Sequence, residues 1–416
     1  MTCNKMYRPL GQVAKLLLIA SMSLLETACG GGGSTSSSAT PNMPMTPVAS
    51  VSPLTVNNTQ NLIIDAGPAN TVNSLFTSVT ICQPGSATAC QTIDHILVDT
   101  GSVGLRLLSS IVQPSLELTQ NLASNGSALV ECTQFADGFS WGPIKSSDVR
   151  LAGQTASAVP IQIIGDSAFP SIPAACSASG PQENTVRDFG ANGILGIGNF
   201  TNDCGNSCAT STTYGLYYAC DATGCAPTTA SATQQVQHPV TLLATNNNGV
   251  VLRLPQIAEP GAASAIGTMI LGIGTQSNNA LGTAKVYTVD PFNGTFTITL
   301  GGKAYPGSFI DSGSNAYFFP STTTLCSSGF YCPPSTVTFN TVIQGKNGTN
   351  AIYNFNVANA DDLFNRFPNF TALPALGGFF DNTTVDLGLP FYFGRSVFTA
   401  IEGKSTPGGT GPYVAF

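Results

Sequence analysis

The sequence predicts a mostly β protein that folds into two lobes. Long helical periodicity is almost absent, whereas short alternating or β-branched runs recur between Gly, Pro, Asn and Asp residues. The chain that follows an N-terminal targeting segment is too long for one compact core and is suited to two lobes. A third observation is a short acidic motif that occurs once in each half of the chain.

Individual strands are predicted where a run alternates or is rich in β-branched residues and ends at turn-forming residues. These runs cover residues 74–81, 96–98, 161–164, 250–254, 285–289 and 295–300. One short helix is predicted over 361–367, with Asp361 or Asp362 as the residue that caps its N-terminus.

Charged residues are scarce in this chain. Of its 416 residues, 14 are Lys or Arg and 21 are Asp or Glu, so the net charge is −7 at pH 7. No basic stripe is available to neutralise phosphates, which argues against nucleic-acid binding. The hydrophobic content of 42% supplies ample material for a core and excludes a disordered protein.

Residues 1–28 are predicted to be a signal peptide. Lys5, Arg8 and Lys15 give it a positively charged start, and the mostly apolar run 16–25 follows. That run is too short to span a bilayer, so an export signal is favoured over a transmembrane helix.

The end of this segment resembles a bacterial lipobox. Residues 25–29 carry the resemblance, with Cys29 as the lipid-bearing residue and Glu26 where lipoboxes usually have Leu. The Gly/Ser/Thr/Pro-rich stretch 29–53 would then tether a folded domain to the membrane. Because Gly30 follows the cysteine, the resemblance implies an outer-membrane lipoprotein that faces the periplasm or the cell surface.

The cysteines also fit an exported protein. Of the twelve, Cys3 lies in the signal peptide and Cys29 is the lipid candidate, which leaves ten in local groups: Cys82 and Cys90; Cys132 and Cys176; Cys204, Cys208, Cys220 and Cys225; Cys326 and Cys332. An oxidising compartment favours disulfides, although the sequence does not fix which cysteines pair. The alternative is a zinc site within residues 204–225.

The acidic motif is an apolar strand that runs into Asp-(Thr or Ser)-Gly-Ser. It occurs at Asp99 in the first half and at Asp311 in the second. Downstream of each Asp lies an apolar run with a central glycine, Gly196 after the first and Gly388 after the second. A glycine at such a position permits the close approach of another backbone.

In this layout the sequence resembles the pepsin-like aspartic proteases over most of residues 60–416. It is also similar to an uncharacterised bacterial lipoprotein family. The protease resemblance implies a two-lobed acid-protease fold with a cleft between the lobes. The N-terminal lobe would cover 54–235 with the first Asp loop and a flap, and the C-terminal lobe 236–416 with the second Asp loop.

The same resemblance assigns the catalytic pair to Asp99 and Asp311. Two carboxylates about 3 Å apart cannot both ionise, so the pair would share one proton and supply a base and an acid to one water. Within each loop the glycine allows the turn, the first hydroxyl residue bonds across to the opposite loop, and the last serine donates to a carboxylate. These supporting residues are Thr100, Gly101, Ser102, Ser312, Gly313 and Ser314. No cofactor or metal is expected, and the pH optimum is expected to be acidic.

A segment over 132–149 resembles the β-hairpin flap that covers the cleft in this family. Phe135, Gly138 and Trp141 are assigned to the flap and to substrate binding. Phe135 stands where the family usually has Tyr, and Arg106 stands where it usually has a Trp bonded to that Tyr. Trp141 is predicted to cover the cleft instead, and the alternative is a packing role, which is the commoner one for a lone Trp.

The predicted function is therefore an aspartic endopeptidase that acts on peptides or proteins, with the membrane contacted only through the lipid anchor. The alternative is a pepsin-fold lipoprotein that binds a peptide or another ligand without cutting it, which the altered flap favours. A structural envelope component is a third possibility. A zinc site with three histidines is excluded because the chain has only His95 and His238, and no nucleophile elbow of a serine hydrolase is present.

Overall fold

The computed structural model of the protein describes residues 49–50 and 57–416. The predictions for the signal peptide over 1–28, for Cys29 and for the tether over 29–53 lie outside the described residues, apart from the short strand at 49–50.

The described chain is mostly β, as predicted. Its first half contains the strands β1 (Ala49–Ser50), β2 (Thr59–Ile64), β3 (Leu75–Cys82), β4 (Cys90–Asp99), β5 (Val103–Leu108), β6 (Thr119–Gln120), β7 (Ala128–Gln134), β8 (Phe139–Leu151), β9 (Gln154–Ile164), β10 (Gly193–Ile197), β11 (Tyr217–Asp221) and β12 (Gly224–Pro227). Its second half contains β13 (Gly249–Arg253), β14 (Ala265–Leu271), β15 (Val286–Thr288), β16 (Phe296–Leu300), β17 (Lys303–Ile310), β18 (Tyr317–Phe318), β19 (Val337–Gln344), β20 (Asn350–Val357), β21 (Gly377–Gly378), β22 (Asp386–Leu387), β23 (Ser396–Ala400), β24 (Ser405–Thr406), β25 (Gly409–Thr410) and β26 (Tyr413–Ala415). Each of the six predicted runs overlaps one of these strands.

Helices among the described residues are short. The α-helices are α1 (Ala174–Ser177), α2 (Val186–Phe189), α3 (Asn206–Thr210) and α4 (Ala360–Arg366), and the 3-10 helices are Pro239–Leu242, Ser277–Asn279 and Leu389–Tyr392. The predicted helix is α4, but the prediction of its cap is wrong. The helix begins one residue earlier than expected, so Asn359 is the cap and its side chain accepts the Asp362 N–H, while Asp361 and Asp362 lie in the first turn.

Hydrogen bonding links the strands into two main systems. Within the described chain, seventeen strands form one system, and seven form a second sheet in the order β20-β19-β16-β17-β22-β18-β21. The larger system joins the two halves of the chain, because β2 pairs antiparallel with β14. The largest apolar cluster also draws on both halves, with members such as Val98, Leu195, Ile310 and Leu387.

The strands around the two Asp residues repeat one local topology. β4, which ends at Asp99, is parallel to β10, and β10 is antiparallel to β5, the strand that follows the loop. In the second half, β17 runs up to Asp311 and is parallel to β22, and β22 is antiparallel to β18. The two halves of the chain therefore present their acidic loops in the same way.

The glycines after each loop are close to backbone, as predicted. A Cβ on Gly196 would lie 2.5 Å from the Val103 nitrogen, and a Cβ on Gly388 would lie 2.2 Å from the Ala316 oxygen. Any larger residue would therefore push the strands that position the two acidic loops apart.

All ten cysteines of the described residues form disulfides. The pairs are Cys82–Cys90, Cys132–Cys176, Cys204–Cys208, Cys220–Cys225 and Cys326–Cys332. The alternative of a zinc site within 204–225 is wrong, because all four of its cysteines are consumed in two disulfides. No helix in the described part of the chain has the length and hydropathy needed to cross a membrane.

Candidate active site

The two acidic loops face each other so closely that each glycine lies against the opposite carboxyl group. The Gly101 N–H donates to Asp99 Oδ1 at 2.6 Å and to Asp311 Oδ1 at 3.0 Å. A Cβ on Gly101 would lie 2.8 Å from Asp311 Cγ, and a Cβ on Gly313 would lie 2.8 Å from Asp99 Cγ. Only glycine at these two positions lets the carboxyl groups meet.

Thr100 and Ser312 lock the loops together through reciprocal hydrogen bonds. The Ser312 N–H donates to Thr100 Oγ1 at 3.0 Å, and the Thr100 N–H donates to Ser312 Oγ at 3.2 Å. Ser312 Oγ donates in turn to the Val98 carbonyl at 2.8 Å, and the Thr100 hydroxyl is paired with the Tyr392 hydroxyl at 2.8 Å. The predicted contacts across the loops are present, and they are buried.

The remaining loop groups act on only one of the two carboxyl groups. The Gly313 N–H donates to Asp311 Oδ1 at 2.8 Å, and Ser314 Oγ donates to Asp311 Oδ2 at 3.1 Å. The prediction that Ser102 does the same for Asp99 is wrong, since the Ser102 hydroxyl is buried and has no partner. The loops differ here because β5 starts directly after Ser102, whereas two residues separate Ser314 from β18.

The Asp99 carboxylate affects the ionisation of Asp311. Burial raises the pKa of Asp311 well above its ordinary value, and the nearby Asp99 carboxylate raises it further. The two carboxyl groups are close enough for the Gly101 N–H to donate to an oxygen of each, at 2.6 and 3.0 Å. Since like charges at this range disfavour double ionisation, the arrangement is suited to holding one proton between two carboxyl groups.

A third buried acid, Asp386, lies beside this pair and was not predicted as a site residue. It is fully buried in β22. It pairs with Phe309 of the neighbouring strand β17, and Phe309 is two residues before Asp311 in the chain. Burial raises its pKa well above the ordinary value, and Asp99 contributes to the rise. The signal in the sequence was a single acid in the otherwise apolar run 385–391.

The predicted flap is a hairpin of β7 and β8, closed by a bond from the Phe135 N–H to the Gly138 carbonyl at 2.8 Å. The Phe135 ring packs edge-on against Phe189 at 5.7 Å, and a Cβ on Gly138 would lie 2.4 Å from the Pro181 oxygen. The hairpin tip therefore packs on the segment that contains α2.

The prediction that Trp141 contacts substrate is wrong. Its side chain is only 2% exposed, its Nε1 donates to the Phe169 carbonyl at 3.0 Å, and its ring packs edge-on against Tyr218. Trp141 lies opposite Cys132 in the hairpin and belongs to a buried cluster around the Cys132–Cys176 disulfide. Its role is packing at the base of the hairpin.

Arg106 links the strand after the first acidic loop to this hairpin. Its guanidinium donates to Thr133 Oγ1 at 2.9 Å, to Glu131 Oε1 at 2.8 Å and to Asp203 Oδ2 at 3.1 Å. The Tyr217 hydroxyl also donates to Asp203, at 2.8 Å. One buried cation therefore holds two buried acids, one of them on a hairpin strand.

His238 lies behind the Gly196 strand and is fully buried. Its Nδ1 accepts the Val240 N–H at 3.2 Å, and the backbone of Ile197 and Gly198 interacts with its ring. Burial lowers the pKa of His238 to about 4, and these backbone contacts only partly oppose the effect. The ring is therefore neutral in the folded protein near neutral pH.

We expect this histidine to make the fold sensitive to acid. In the unfolded chain it binds a proton near pH ~6.5, so the stability that it provides is complete above that pH and is lost as the pH falls towards about 4. The loss should be on the order of 3 kcal/mol. Urea unfolding of the wild type and of His238→Asn, which retains an acceptor for the Val240 N–H, should show a smaller acid loss in the variant. An identical loss in both proteins would contradict the assignment.

The described residues contain one group of potential metal ligands, Cys326, Cys332 and Asp361. Both cysteines are bonded to each other, so the group does not offer a thiolate to a metal ion.

The chain matches a family model over most of its length. The model of a family described as "Protein of unknown function (DUF3443)" matches residues 51–416. No curated protein has significant similarity to the chain.

Proposed function

The chain belongs to this family of proteins of unknown function (DUF3443), and we propose that it is an aspartic endopeptidase. The observation that carries the proposal is the pair of carboxyl groups, Asp99 and Asp311, which two equivalent loops present so close together that both accept a hydrogen bond from the Gly101 N–H. Such a pair can hold one proton and thus offer a base and an acid to the same substrate.

We propose further that the fold is the two-lobed pepsin-like one, with lobes over 54–235 and 236–416. The repeated topology around the acidic loops supports it, because β4-β10-β5 and β17-β22-β18 pair in the same sense. The locked contacts between Thr100 and Ser312 support a junction of the lobes at the base of a cleft.

In the proposed mechanism, Asp99 and Asp311 bind one water between them. The ionised carboxyl group removes a proton from the water as the water attacks the peptide carbonyl. The protonated carboxyl group donates its proton to the developing oxyanion. The pair then returns a proton to the amide nitrogen, the C–N bond breaks and the amine leaves. The loop N–H groups of Gly101 and Gly313 hold the carboxyl groups in the orientation that this exchange requires.

The hairpin of β7 and β8 is proposed to cover the bound peptide, with Phe135 and Gly138 at its tip. Its firm attachment supports this role. Arg106 bonds Thr133 and Glu131 of the hairpin from the strand that directly follows the first acidic loop. This polar link would do the work of the Tyr–Trp pair that the sequence lacks.

We also propose that Cys29 anchors the protein to the outer membrane as a lipoprotein. The five disulfides support an oxidising compartment. The substrate would then be a peptide or protein of the periplasm or the cell surface.

Incubation of the purified mature protein with a complex peptide mixture, scanned from about pH 3 to about pH 7, tests the proposal. Mass spectrometry should detect new internal cuts, with an optimum below neutral pH, and circular dichroism should verify folding at each pH. Activity should fall as the pH rises through the raised pKa of Asp311. Intact peptides at every pH, with the protein folded, would instead favour a protein that binds without cutting.

A further inference from the structure

A cavity of about 410 Å³ lies beside the edge strand of the second sheet. That strand, β20, contributes residues 353–356 to the wall, and the segments 256–259 and 390–395 contribute others. The volume falls within the range of pockets that bind small ligands, about 300–1,000 Å³. The residues described around the cavity include none from either acidic loop, so it is a separate site from the carboxyl pair.

Arg395 is the cation of this cavity, and its guanidinium is held in place without an acid. Its Nη1 donates to the Phe391 carbonyl at 2.7 Å and to the Phe393 carbonyl at 3.1 Å. The guanidinium carbon lies 4.9 Å from the centre of the Tyr353 ring and 5.0 Å from that of the Phe391 ring. None of the ion pairs among the described residues includes Arg395. Its Nε and Nη2 therefore remain for an anion, and a carboxylate can accept from both at once.

The rest of the wall suits an apolar group next to that carboxylate. Ile257 and Phe393 are buried hydrophobic residues in the wall, and Pro374 also lines it. The acid in the wall, Glu259, is exposed, and its Oε1 accepts from Asn356 Nδ2 at 2.7 Å. The cavity thus offers one unpaired cation together with apolar surface.

The strand that forms one wall has an open edge. Among the described strands, β20 pairs on one side alone, with β19. Where the two strands meet, the Gly345 N–H donates to the Thr349 carbonyl at 2.9 Å. Hydrogen-bonded pairs recur at every second residue of an antiparallel ladder, so the odd-numbered residues of β20 bond to β19. The backbone groups of Asn354 and Asn356 therefore face the open edge.

Ala358, the next residue in this alternation, shows that the edge can be paired. Its N–H donates to the Ala375 carbonyl at 2.9 Å, outside the ladder with β19. At Asn354 and Asn356, which line the cavity, no other described segment closes the edge in this way. An extended chain in the cavity can pair with these two residues as an added strand.

We propose that this cavity binds the C-terminal end of an extended peptide. The terminal carboxylate would accept from Arg395 Nε and Nη2, and the last side chain, an apolar one, would pack against Ile257 and Phe393. The peptide backbone would pair with Asn354 and Asn356. A free small carboxylate has the same anionic group but would need only Arg395, whereas the peptide also needs the edge of β20. The test of this site requires no peptide cleavage.

The probe is a pool of short N-acetylated peptides with an apolar last residue, prepared once with a free terminal carboxylate and once as carboxamides. Each pool is passed over the immobilised mature protein at neutral pH, and mass spectrometry identifies the captured peptides and verifies that they are intact. We expect capture of carboxylate peptides. The carboxamide of the best of them should bind about tenfold or more weakly, because it cannot form the charge-assisted bonds to Arg395. No capture, or equal binding of the two forms, would overturn the proposal.

Two pairs of variants locate the site by isothermal titration with the best peptide. Arg395→Gln should weaken binding by about tenfold or more, and Arg187→Gln, at an exposed arginine in α2, should leave it unchanged. Asn354→Pro removes one N–H from the open edge, at a place where a strand tolerates proline, and should weaken binding by about fivefold. Asn354→Ala keeps that N–H and should bind like the wild type.

A folded Arg395→Gln protein that binds the peptide as tightly as the wild type would overturn the proposal. Equal binding by Asn354→Pro and Asn354→Ala would show that a carboxylate is held without strand pairing, which would overturn the assignment to a peptide. If Arg395→Gln does not fold, the comparison of carboxylate with carboxamide on the wild type still decides. Peptides that bind here while none is cut would refute the proposed function and leave this site standing.

Discussion

Asp99→Asn and Asp311→Asn are each expected to lower kcat/KM for peptide cleavage by about 10³-fold or more. Asparagine has nearly the same shape and can keep the acceptor oxygen for the Gly101 and Gly313 N–H groups. It can neither ionise nor pass on a proton, so the variant loses the base and the acid together. The measurement is the initial rate of cleavage of one peptide found in the peptide mixture, at the optimal pH of the wild type.

The control for these variants is Asp362→Asn, which removes one exposed carboxyl group and should retain wild-type activity. Both Asp→Asn variants should also be folded, and they are expected to be at least as stable as the wild type near neutral pH, since each removes one of two crowded acids. Cleavage within a few-fold of wild type in either folded variant would contradict the assignment.

The second large effect is expected at Arg106. In Arg106→Met, Glu131 and Asp203 remain buried without their cation, and the free energy of unfolding should fall by about 3–5 kcal/mol. Burial already raises the pKa of Asp203, with Glu131 adding to the rise and Arg106 opposing it. The loss of stability should therefore be greatest near neutral pH. There each buried acid either ionises without its cation or stays protonated at a pH that favours ionisation, and both states cost free energy.

Urea unfolding of three variants, each compared with the wild type, checks this prediction. Arg187→Met, at an exposed arginine in α2, is the matched control and should change stability little. Adding Glu131→Gln to Arg106→Met removes one of the stranded acids and should restore part of the loss. A change below about 1 kcal/mol in Arg106→Met would show that the buried network does not hold the hairpin.

Much of the site could be predicted because it depends on local order in the chain. Asp99 and Asp311 each stand at the end of an apolar strand and before a glycine, and that pattern alone predicts a tight loop at a strand end. Gly196 and Gly388 could be predicted in the same way, as points of close backbone approach inside apolar runs. Only the meeting of the two loops requires the whole fold.

What could not be predicted depends on contacts between distant segments. Arg106 bonds partners 25 and 97 residues away, so its buried network leaves no local pattern in the sequence. Trp141 is buried in a cluster with the Cys132–Cys176 disulfide, whose pairing the spacing of cysteines does not determine. Asp386 could not be predicted as a site residue for a different reason. A single acid in an apolar run becomes informative only once its neighbours in space are known to be acids too.

The central claim is that Asp99 and Asp311 act as one unit, and a double-mutant cycle on cleavage kinetics tests it most directly. The rates to be compared are those of the wild type, Asp99→Asn, Asp311→Asn and the double variant, for one peptide at one pH. If the two carboxyl groups share one proton and one water, the double variant should be no slower than the slower single variant, within a few-fold. Losses that multiply in the double variant, or a folded wild type that cleaves no peptide, would contradict the claim.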